Sequence, residues 1–237
     1  MEKTKKIKIV IGLIYLVVLS VFLYFLFQNF NFEDIRSIKV IQSNKDQLNI
    51  LKENNLILLI SIFFLIVVLW TVFLGFGTPI ALVGGFIFGK WIGTIVVTTA
   101  LSIGALCLYF FAKYFLYDFL KENLFTKYKN LNLMFQKKQL LVMILFRFVG
   151  LVPFFLANLL PVIFNISAKN YLIGTFVGIM PAVFIMVSFG SGFSDAIYSF
   201  DKFPSFLSLI ALPEIYFPLI GFFFILVLSI LLKKKFK

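Results

Sequence analysis

The sequence has 237 residues, of which 62% are hydrophobic and 14% charged, and its formal net charge is +12. A soluble domain of this length needs more polar surface than that composition provides, so a soluble protein is excluded. The chain has no histidine and one cysteine, Cys107, which excludes a disulfide framework and a cysteine-based metal site and disfavours a histidine-based one. We therefore expect no metal ion and no other cofactor.

The apolar residues form long blocks, each about as long as a helix that crosses a bilayer. Because the hydrocarbon core contains no water, backbone groups in such blocks must pair within the segment, which predicts helices. The first block follows several lysines and lacks a small-residue cleavage site, so it is interpreted as a retained helix rather than a signal peptide. In chain order the blocks are Ile9–Phe27, Leu56–Phe76, Trp91–Phe115, Leu140–Phe164, Tyr171–Phe193 and Ile215–Leu232.

Polar stretches separate these blocks and carry the charge. Asn29–Asn55 is mixed in charge, Asp118–Lys138 has an excess of lysine that predicts a cytoplasmic position, and Ser194–Glu214 fits the opposite face. Both tails are rich in lysine, so both termini are expected inside the cell. Basic residues beside membrane helices set orientation and attract anionic lipid headgroups, and we therefore expect no binding of nucleic acid.

The segment Gly77–Gly93 combines a proline with several glycines and is predicted to form a first re-entrant hairpin. Glycine lets the backbone turn and lets another segment approach closely, and a hairpin inside a membrane needs both. Lys90 is a candidate substrate contact, although a lysine beside Trp91 more often extends to the membrane interface. The residues predicted to build this hairpin are Pro79, Gly84, Gly85 and Gly89.

Arg147 lies seven residues inside the apolar block Leu140–Phe164. An arginine near the centre of a membrane helix costs about 2.5–3.5 kcal/mol on insertion scales, so it is retained where it faces a partner or a wet cavity. Its planar guanidinium matches a phosphate or a carboxylate, which favours contact with an anionic headgroup. The alternative is a structural arginine that binds the exposed carbonyls of its own broken segment, and both roles are compatible.

Two prolines, Pro153 and Pro161, interrupt the same block on either side of Asn158. Proline inside a helix removes a backbone donor and clashes with the preceding turn, so the chain is expected to turn back here in a second re-entrant hairpin. Asn158 either satisfies the backbone groups freed by the prolines or contacts the substrate.

A weak internal repeat relates the two interrupted segments. Pro79 and Pro153 are 74 positions apart, and so are Gly104 and Gly178. If the chain crosses the membrane once between the two units, they enter it from opposite sides, as in the inverted repeats of transporters. Small residues spaced in this way also favour close packing of helices. The residues predicted to serve helix packing are Gly104, Gly174, Gly178 and Pro181.

The distribution of acidic residues argues against an enzyme. None falls between Leu56 and Tyr117 or within Leu140–Phe193. Without histidine or embedded carboxylates, acid–base catalysis and a conventional catalytic triad are disfavoured, and no phosphate-binding P-loop is present.

These residues resemble the VTT-domain membrane proteins, the SNARE-associated Golgi protein or DedA-like superfamily. The resemblance runs from about Phe76 to Gly192, roughly half of the chain. Its motifs are Thr78-Pro79 followed by Gly84-Gly85-Phe86-Ile87-Phe88-Gly89, Gly93 and Gly104-Ala105; Arg147 with Pro153 and Asn158; and Gly174-Thr175 with Gly178 and Pro181.

The resemblance implies two re-entrant hairpins that face each other in a small helical bundle. It also implies lipid movement between leaflets, either scrambling or translocation of polyprenyl-phosphate carriers, with Arg147 as the family's arginine. Two departures matter, because Gly150 stands where family members often have proline and embedded carboxylates are missing. The chain therefore resembles the yeast Golgi-type branch and its bacterial homologues more than DedA proper, and proton coupling is not expected.

The sequence thus predicts an all-α integral membrane protein of the bacterial inner membrane, with about five to six transmembrane helices and two re-entrant helical hairpins in a weak inverted repeat. Residues 1–55 form a helix and a polar linker, 56–193 a VTT-like membrane domain, and 194–237 a loop, a helix and a basic tail. The predicted function is translocation or scrambling of lipids with anionic phosphate headgroups. The alternatives are an ion-coupled carrier of a small soluble anion and a non-transporting scaffold. The sequence does not indicate an oligomeric state.

Overall fold

A computed structural model describes residues 38–73, 76–115, 117–124, 138–149 and 154–197, together with single positions elsewhere. Apart from such positions, the predicted helices Ile9–Phe27 and Ile215–Leu232 and both tails lie outside these ranges. The described helices are α1 (Ile38–Val72), α2 (Gly77–Phe88), α3 (Lys90–Phe115), α4 (Tyr117–Leu124), α5 (Gln139–Val149), α6 (Phe154–Ile163) and α7 (Ala168–Ala196).

The described part of the chain is helical and contains no strand. Three helical stretches are long and apolar enough to cross a membrane, namely Lys45–Val72, Lys90–Phe115 and Ala168–Ala196. The prediction of an all-α membrane protein is therefore confirmed. The total of five to six crossings stays a prediction, because the first and last blocks lie outside the described ranges.

The described part of the polar stretch before the second apolar block is helical. We expected Asn29–Asn55 to be a linker, but α1 begins at Ile38 and is interrupted only at Asn55, whose backbone angles (φ −149°, ψ 59°) are not helical. Within this part of α1, the ammonium of Lys45 donates a hydrogen bond to the backbone carbonyl of Ser194 near the end of α7.

Two units of three helices form the described bundle, α1–α2–α3 and α5–α6–α7. In the second unit, α5 and α7 run parallel, since Gly174 lies against Met143 and Gly178 lies against Arg147. In the first unit, Gly104 of α3 lies against Thr71 of α1 in the same manner. Each unit therefore packs its long last helix against the helix that precedes its short central one.

The two units run in opposite directions. The rings of Trp91 and Phe184 are 5.6 Å apart at one end of α3, and those of Tyr109 and Tyr171 are 4.7 Å apart towards its other end, so α3 and α7 are antiparallel. Each short helix also packs on the long helix of the other unit, α2 on α7 and α6 on α3. These contacts are those expected of an inverted repeat.

The short helices explain how the chain doubles back within the bundle. α2, α5 and α6 have 12, 11 and 10 residues, and at about 1.5 Å per residue none reaches across a hydrocarbon core of about 30 Å. The side-chain oxygen of Gln139 at the start of α5 accepts hydrogen bonds from the backbone N–H of Ser167 and the amide of Asn170. The chain thus returns after α6 to the level at which α5 began. Whether these hairpins are re-entrant in a membrane stays a prediction.

Candidate functional site

Arg147 lies in the last turn of α5, at the point where the apolar block is broken. The block is not an unbroken helix, because α5 ends at Val149 and α6 begins at Phe154. Only 6% of Arg147 is exposed, since Gly178 lets α7 pack directly against it. The structure therefore places the predicted charge inside the bundle.

Three neutral acceptors surround the guanidinium. Its Nη1 donates to Asn158 Oδ1 at 2.8 Å, its Nη2 donates to Tyr171 Oη at 2.9 Å, and its Nε donates to Thr175 Oγ1 at 3.2 Å. Asn158 comes from α6, and the other two residues come from α7. Each part of the second unit thus contributes to holding the charge, and the three acceptors orient it without neutralising it.

Tyr171 connects the guanidinium to the rest of the bundle. Its hydroxyl accepts from Arg147 and donates to the backbone carbonyl of Asn158 at 3.2 Å. Its ring packs against Tyr109 of α3, whose own hydroxyl donates to the carbonyl of Ile166 at 2.6 Å. Both tyrosines are almost completely buried, at 0% and 1% exposure. The site therefore joins both units.

Among the described residues, no carboxylate balances the charge of Arg147. The first acidic residues before and after it in the sequence are Glu122 and Asp195, and both are exposed. Hydrogen bonds to neutral acceptors offset only part of the cost of removing a charge from water, which is several kcal/mol per ion. A negative charge bound beside Arg147 would supply the missing compensation.

Several donors at the site also lack an acceptor. An arginine side chain carries five N–H donors, and within the described ranges only three of them are used. The amide nitrogen of Asn158 is buried and has no hydrogen-bond partner in the described structure. Unpaired buried donors are costly, so this cluster of unused N–H groups is suited to the oxygens of an anion.

The structure gives Asn158 a position different from the one its neighbouring prolines suggested. We expected a turn between Pro153 and Pro161, but Asn158 lies inside helix α6 and contacts Arg147. Pro161 is two residues from the end of α6, so the backbone donor that it lacks interrupts only the last turn. Pro153 lies outside the described residues.

The predicted glycines of the first hairpin serve as contacts and as a turn. Gly84 and Gly85 are buried in α2, and a Cβ at Gly85 would lie 1.9 Å from the carbonyl oxygen of Val187 in α7. Gly89 separates α2 from α3 with a φ of +76°, which favours glycine. Pro79 lies in the first turn of α2, where proline is tolerated.

Lys90 is not brought to Arg147. It is the exposed first residue of α3 and lies beside Trp91, which is 68% exposed. The prediction that it contacts a substrate is not tested by this position. The surroundings resemble those of a lysine that extends to a membrane interface.

Two of the predicted packing residues fix the position of Arg147. Gly174 and Gly178 bring α7 against α5, and Gly104 makes the corresponding contact between α3 and α1. Pro181 lies within α7, which continues as one helix through it.

Two residues of the site, Tyr109 and Tyr171, were missed from the sequence, and Thr175 was quoted only as part of the family motif, without a role at the site. Tyrosine and threonine in an apolar block carry no signal of their own. A signal was nevertheless present, because positions 171, 175 and 178 follow the i, i+4, i+7 spacing of one helical face and Gly178 was already predicted to pack.

The chain is similar in sequence to a known protein family. Residues 74–192 match the VTT domain, and the match covers about half of the chain and includes α2 to the greater part of α7. No curated protein and no solved structure matches the chain.

Proposed function

The chain belongs to the VTT domain family of membrane proteins, and from this premise we propose that it moves phosphate-headed lipids between the two leaflets of a membrane. The family is consistent with a membrane transporter-like role. The chemistry of the buried site supports a more specific assignment.

The observation that carries the proposal is that, in the part of the chain that the structure describes, Arg147 has no carboxylate partner and the neighbouring amide nitrogen of Asn158 has no acceptor. The guanidinium is 6% exposed, and Asn158 is fully buried. A purely structural arginine is expected to find acceptors for its donors, and the neighbouring amide should do the same. Within the described residues both retain unused donors, which supports a site for the oxygens of an anion.

Phosphate is the anion that suits these donors best. A guanidinium presents a planar fork that binds phosphate or carboxylate through two parallel hydrogen bonds, and charge-assisted bonds of this kind are about twice as strong as neutral ones. The additional donor of Asn158 suits a further oxygen of a phosphate.

A lipid source for that phosphate is supported by the position of the site. Arg147 lies between a short helix, α6, and the long helix α7, and α2 crosses α7 farther along. Separation of the short helices from the long ones would open a polar path for a headgroup while the acyl chains stay in the bilayer. The lysine-rich stretch Asp118–Lys138 would attract anionic lipids to one membrane surface.

The proposed reaction forms and breaks no covalent bond and needs no cofactor, so the chain is proposed not to be an enzyme. Within the family, we place it closer to the yeast Golgi-type branch and its bacterial homologues than to DedA proper. The reason is that no acidic residue lies between Leu56 and Tyr117 or within Leu140–Phe193. A bacterial inner membrane is the proposed location, and the two hairpins are proposed to be re-entrant.

The proposal is tested with the full-length chain in liposomes that contain phosphatidylglycerol and a trace of a fluorescent phosphatidylglycerol. Dithionite bleaches only labelled lipid in the outer leaflet, so bleaching beyond that of empty vesicles measures movement across the membrane. We expect such movement for the natural chain and its loss in Arg147→Gln. Lys169→Gln, which removes an exposed charge at the start of α7, is the matched control and should remain active.

Bleaching equal to that of empty vesicles would contradict lipid translocation. Uptake of radiolabelled inorganic phosphate without lipid movement would instead identify a carrier of a soluble anion. Full activity in Arg147→Gln would remove the residue on which the mechanism depends. Folding of each variant is checked by its thermal unfolding midpoint in detergent.

A further inference from the structure

Tyr171 contacts the Nη2 atom of the Arg147 guanidinium. A guanidinium binds an oxyanion through two nitrogens, either Nη1 with Nη2 or Nε with Nη2. Both pairs include Nη2, and Nη2 is the atom that donates to the Tyr171 hydroxyl at 2.9 Å. Nη2 carries two N–H groups and the Tyr171 oxygen accepts from one of them, so a bidentate ligand must bind beside that oxygen or in its place.

The ring of Tyr171 strengthens this contact. The guanidinium carbon of Arg147 is 5.4 Å from the centre of the ring, within the range of a cation–π interaction. Tyr171 thus offers the charge a neutral oxygen and the face of an aromatic ring. These are the interactions that a buried cation can use while no anion is present.

Contacts with residues other than Arg147 also hold Tyr171 in place. Its ring packs 4.7 Å from that of Tyr109, and the Tyr109 hydroxyl is fixed to the carbonyl of Ile166. The Tyr171 hydroxyl donates its own proton to the carbonyl of Asn158. Because that proton is already engaged, the oxygen faces Arg147 as an acceptor.

We propose that Tyr171 is a specificity-determining residue of the site, an internal acceptor that competes with an oxyanion for Nη2 of Arg147. This inference rests on the proposed function, since it assumes that an anion reaches Arg147. Tyr171 occupies the guanidinium in the empty state, weakens ligand binding by competition, and returns to Nη2 when the ligand leaves.

Competition by Tyr171 predicts an effect of mutation on anion binding that is opposite to the effect expected for a purely structural tyrosine. In the Tyr171→Phe variant, the site without an anion loses the acceptor for Nη2 of Arg147. The site with a bound anion loses less, because the anion itself accepts from the guanidinium. The anion should therefore bind more tightly and leave more slowly. A hydrogen bond to a charged group of the usual strength predicts roughly tenfold tighter binding. A structural role predicts weaker binding or none.

The experiment measures binding by isothermal titration calorimetry on the full-length chain in detergent micelles. The probes are dihexanoyl phosphatidic acid and inorganic phosphate, which share the phosphate but differ in source. Tyr171→Phe is compared with Ser102→Ala, which also removes one buried hydroxyl but one that donates to the carbonyl of Thr98 in its own helix, α3. We expect tighter binding only in Tyr171→Phe, with whichever probe binds the natural chain.

The possible failures are distinguishable. If the natural chain binds phosphatidic acid, Arg147→Gln abolishes that binding and Tyr171→Phe binds equally or less tightly, the inference about Tyr171 is wrong and the proposed function stands. If neither probe binds the natural chain, or if Arg147→Gln binds as well, the proposed function fails and the inference fails with it.

A second measurement does not depend on the folding of Tyr171→Phe. 3-Fluorotyrosine introduced at position 171 keeps the hydroxyl and reports on its surroundings by fluorine NMR. Its resonance should shift on addition of the bound probe, with saturation at the same concentration as in calorimetry. An unchanged resonance at saturating probe would show that the hydroxyl stays on Arg147 and would overturn the inference.

Discussion

A Cβ atom added at Gly178 would lie 2.5 Å from the Cβ of Arg147, so α5 and α7 pack directly against each other at the level of the buried charge. The first unit contains the same contact, since a Cβ at Gly104 would lie 2.6 Å from the Cβ of Thr71. Thr71 is therefore the structural counterpart of Arg147. Its hydroxyl donates to the carbonyl of Val67 in its own helix and needs no ligand. Of these two equivalent positions, only that in the second unit carries a charge.

Gly178→Ala should displace Arg147 from its acceptors. The added methyl group would overlap the arginine Cβ and approach the carbonyl of Ile144 to 2.7 Å, so the helices must separate. Overpacking of this kind costs about 1–3 kcal/mol, and we expect a lower thermal unfolding midpoint together with reduced lipid movement. Gly221→Ala is the control, because a Cβ there would meet no atom of the described residues within 4 Å. A Gly178→Ala chain as stable and active as the Gly221→Ala chain would contradict the contact.

The crossing of α2 and α7 should tolerate an added methyl group even less than the contact at Gly178 does. A Cβ at Gly85 would lie 1.9 Å from the carbonyl oxygen of Val187, and one at Gly190 would lie 2.0 Å from that of Leu82. Backbone atoms cannot move aside as a flexible side chain does. We expect Gly85→Ala and Gly190→Ala each to destabilise the chain at least as much as Gly178→Ala. Unfolding midpoints near that of the natural chain would show that the two helices are farther apart.

The antiparallel arrangement of α3 and α7 can be tested by cross-linking. Trp91 and Phe184 have ring centres 5.6 Å apart, so cysteines at these positions should be joined by a short bis-maleimide. The pair is placed in a Cys107→Ser background, and cross-linked chains are detected by altered migration after denaturation. Trp91→Cys with Ile173→Cys is the control, because residue 173 lies about three helical turns from residue 184 along α7. Equal cross-linking of both pairs would contradict the arrangement.

Much of this fold follows from the sequence, and the limits of prediction have physical causes. Hydropathy identifies the membrane helices, and a charge inside an apolar block identifies Arg147, because both are local properties. The helical start of α1 at Ile38 was missed, because polar composition alone does not exclude a helix that is held by contact with α7. Tyr171 was missed because its importance arises only when α3, α6 and α7 meet around it.

The most discriminating substitution is Asn158→Asp, because it should separate stability from function. The side chain keeps its shape, and its oxygen already accepts from Arg147 Nη1 at 2.8 Å. A carboxylate there would give the buried guanidinium the counter-charge that it lacks. Since the charge of Arg147 is already buried, the gained attraction should exceed the added cost of burying the carboxylate.

We therefore expect Asn158→Asp to raise the thermal unfolding midpoint and to abolish both phosphate binding and lipid movement, because the chain then supplies its own anion. Asn158→Leu provides the comparison, since it removes the acceptor without adding charge and should lower the midpoint by leaving an arginine donor unpaired. A more stable, inactive chain is the result that an anion site predicts. If Asn158→Asp lost as much stability as Asn158→Leu, or kept full lipid movement, the hypothesis that Arg147 binds an anion would be contradicted.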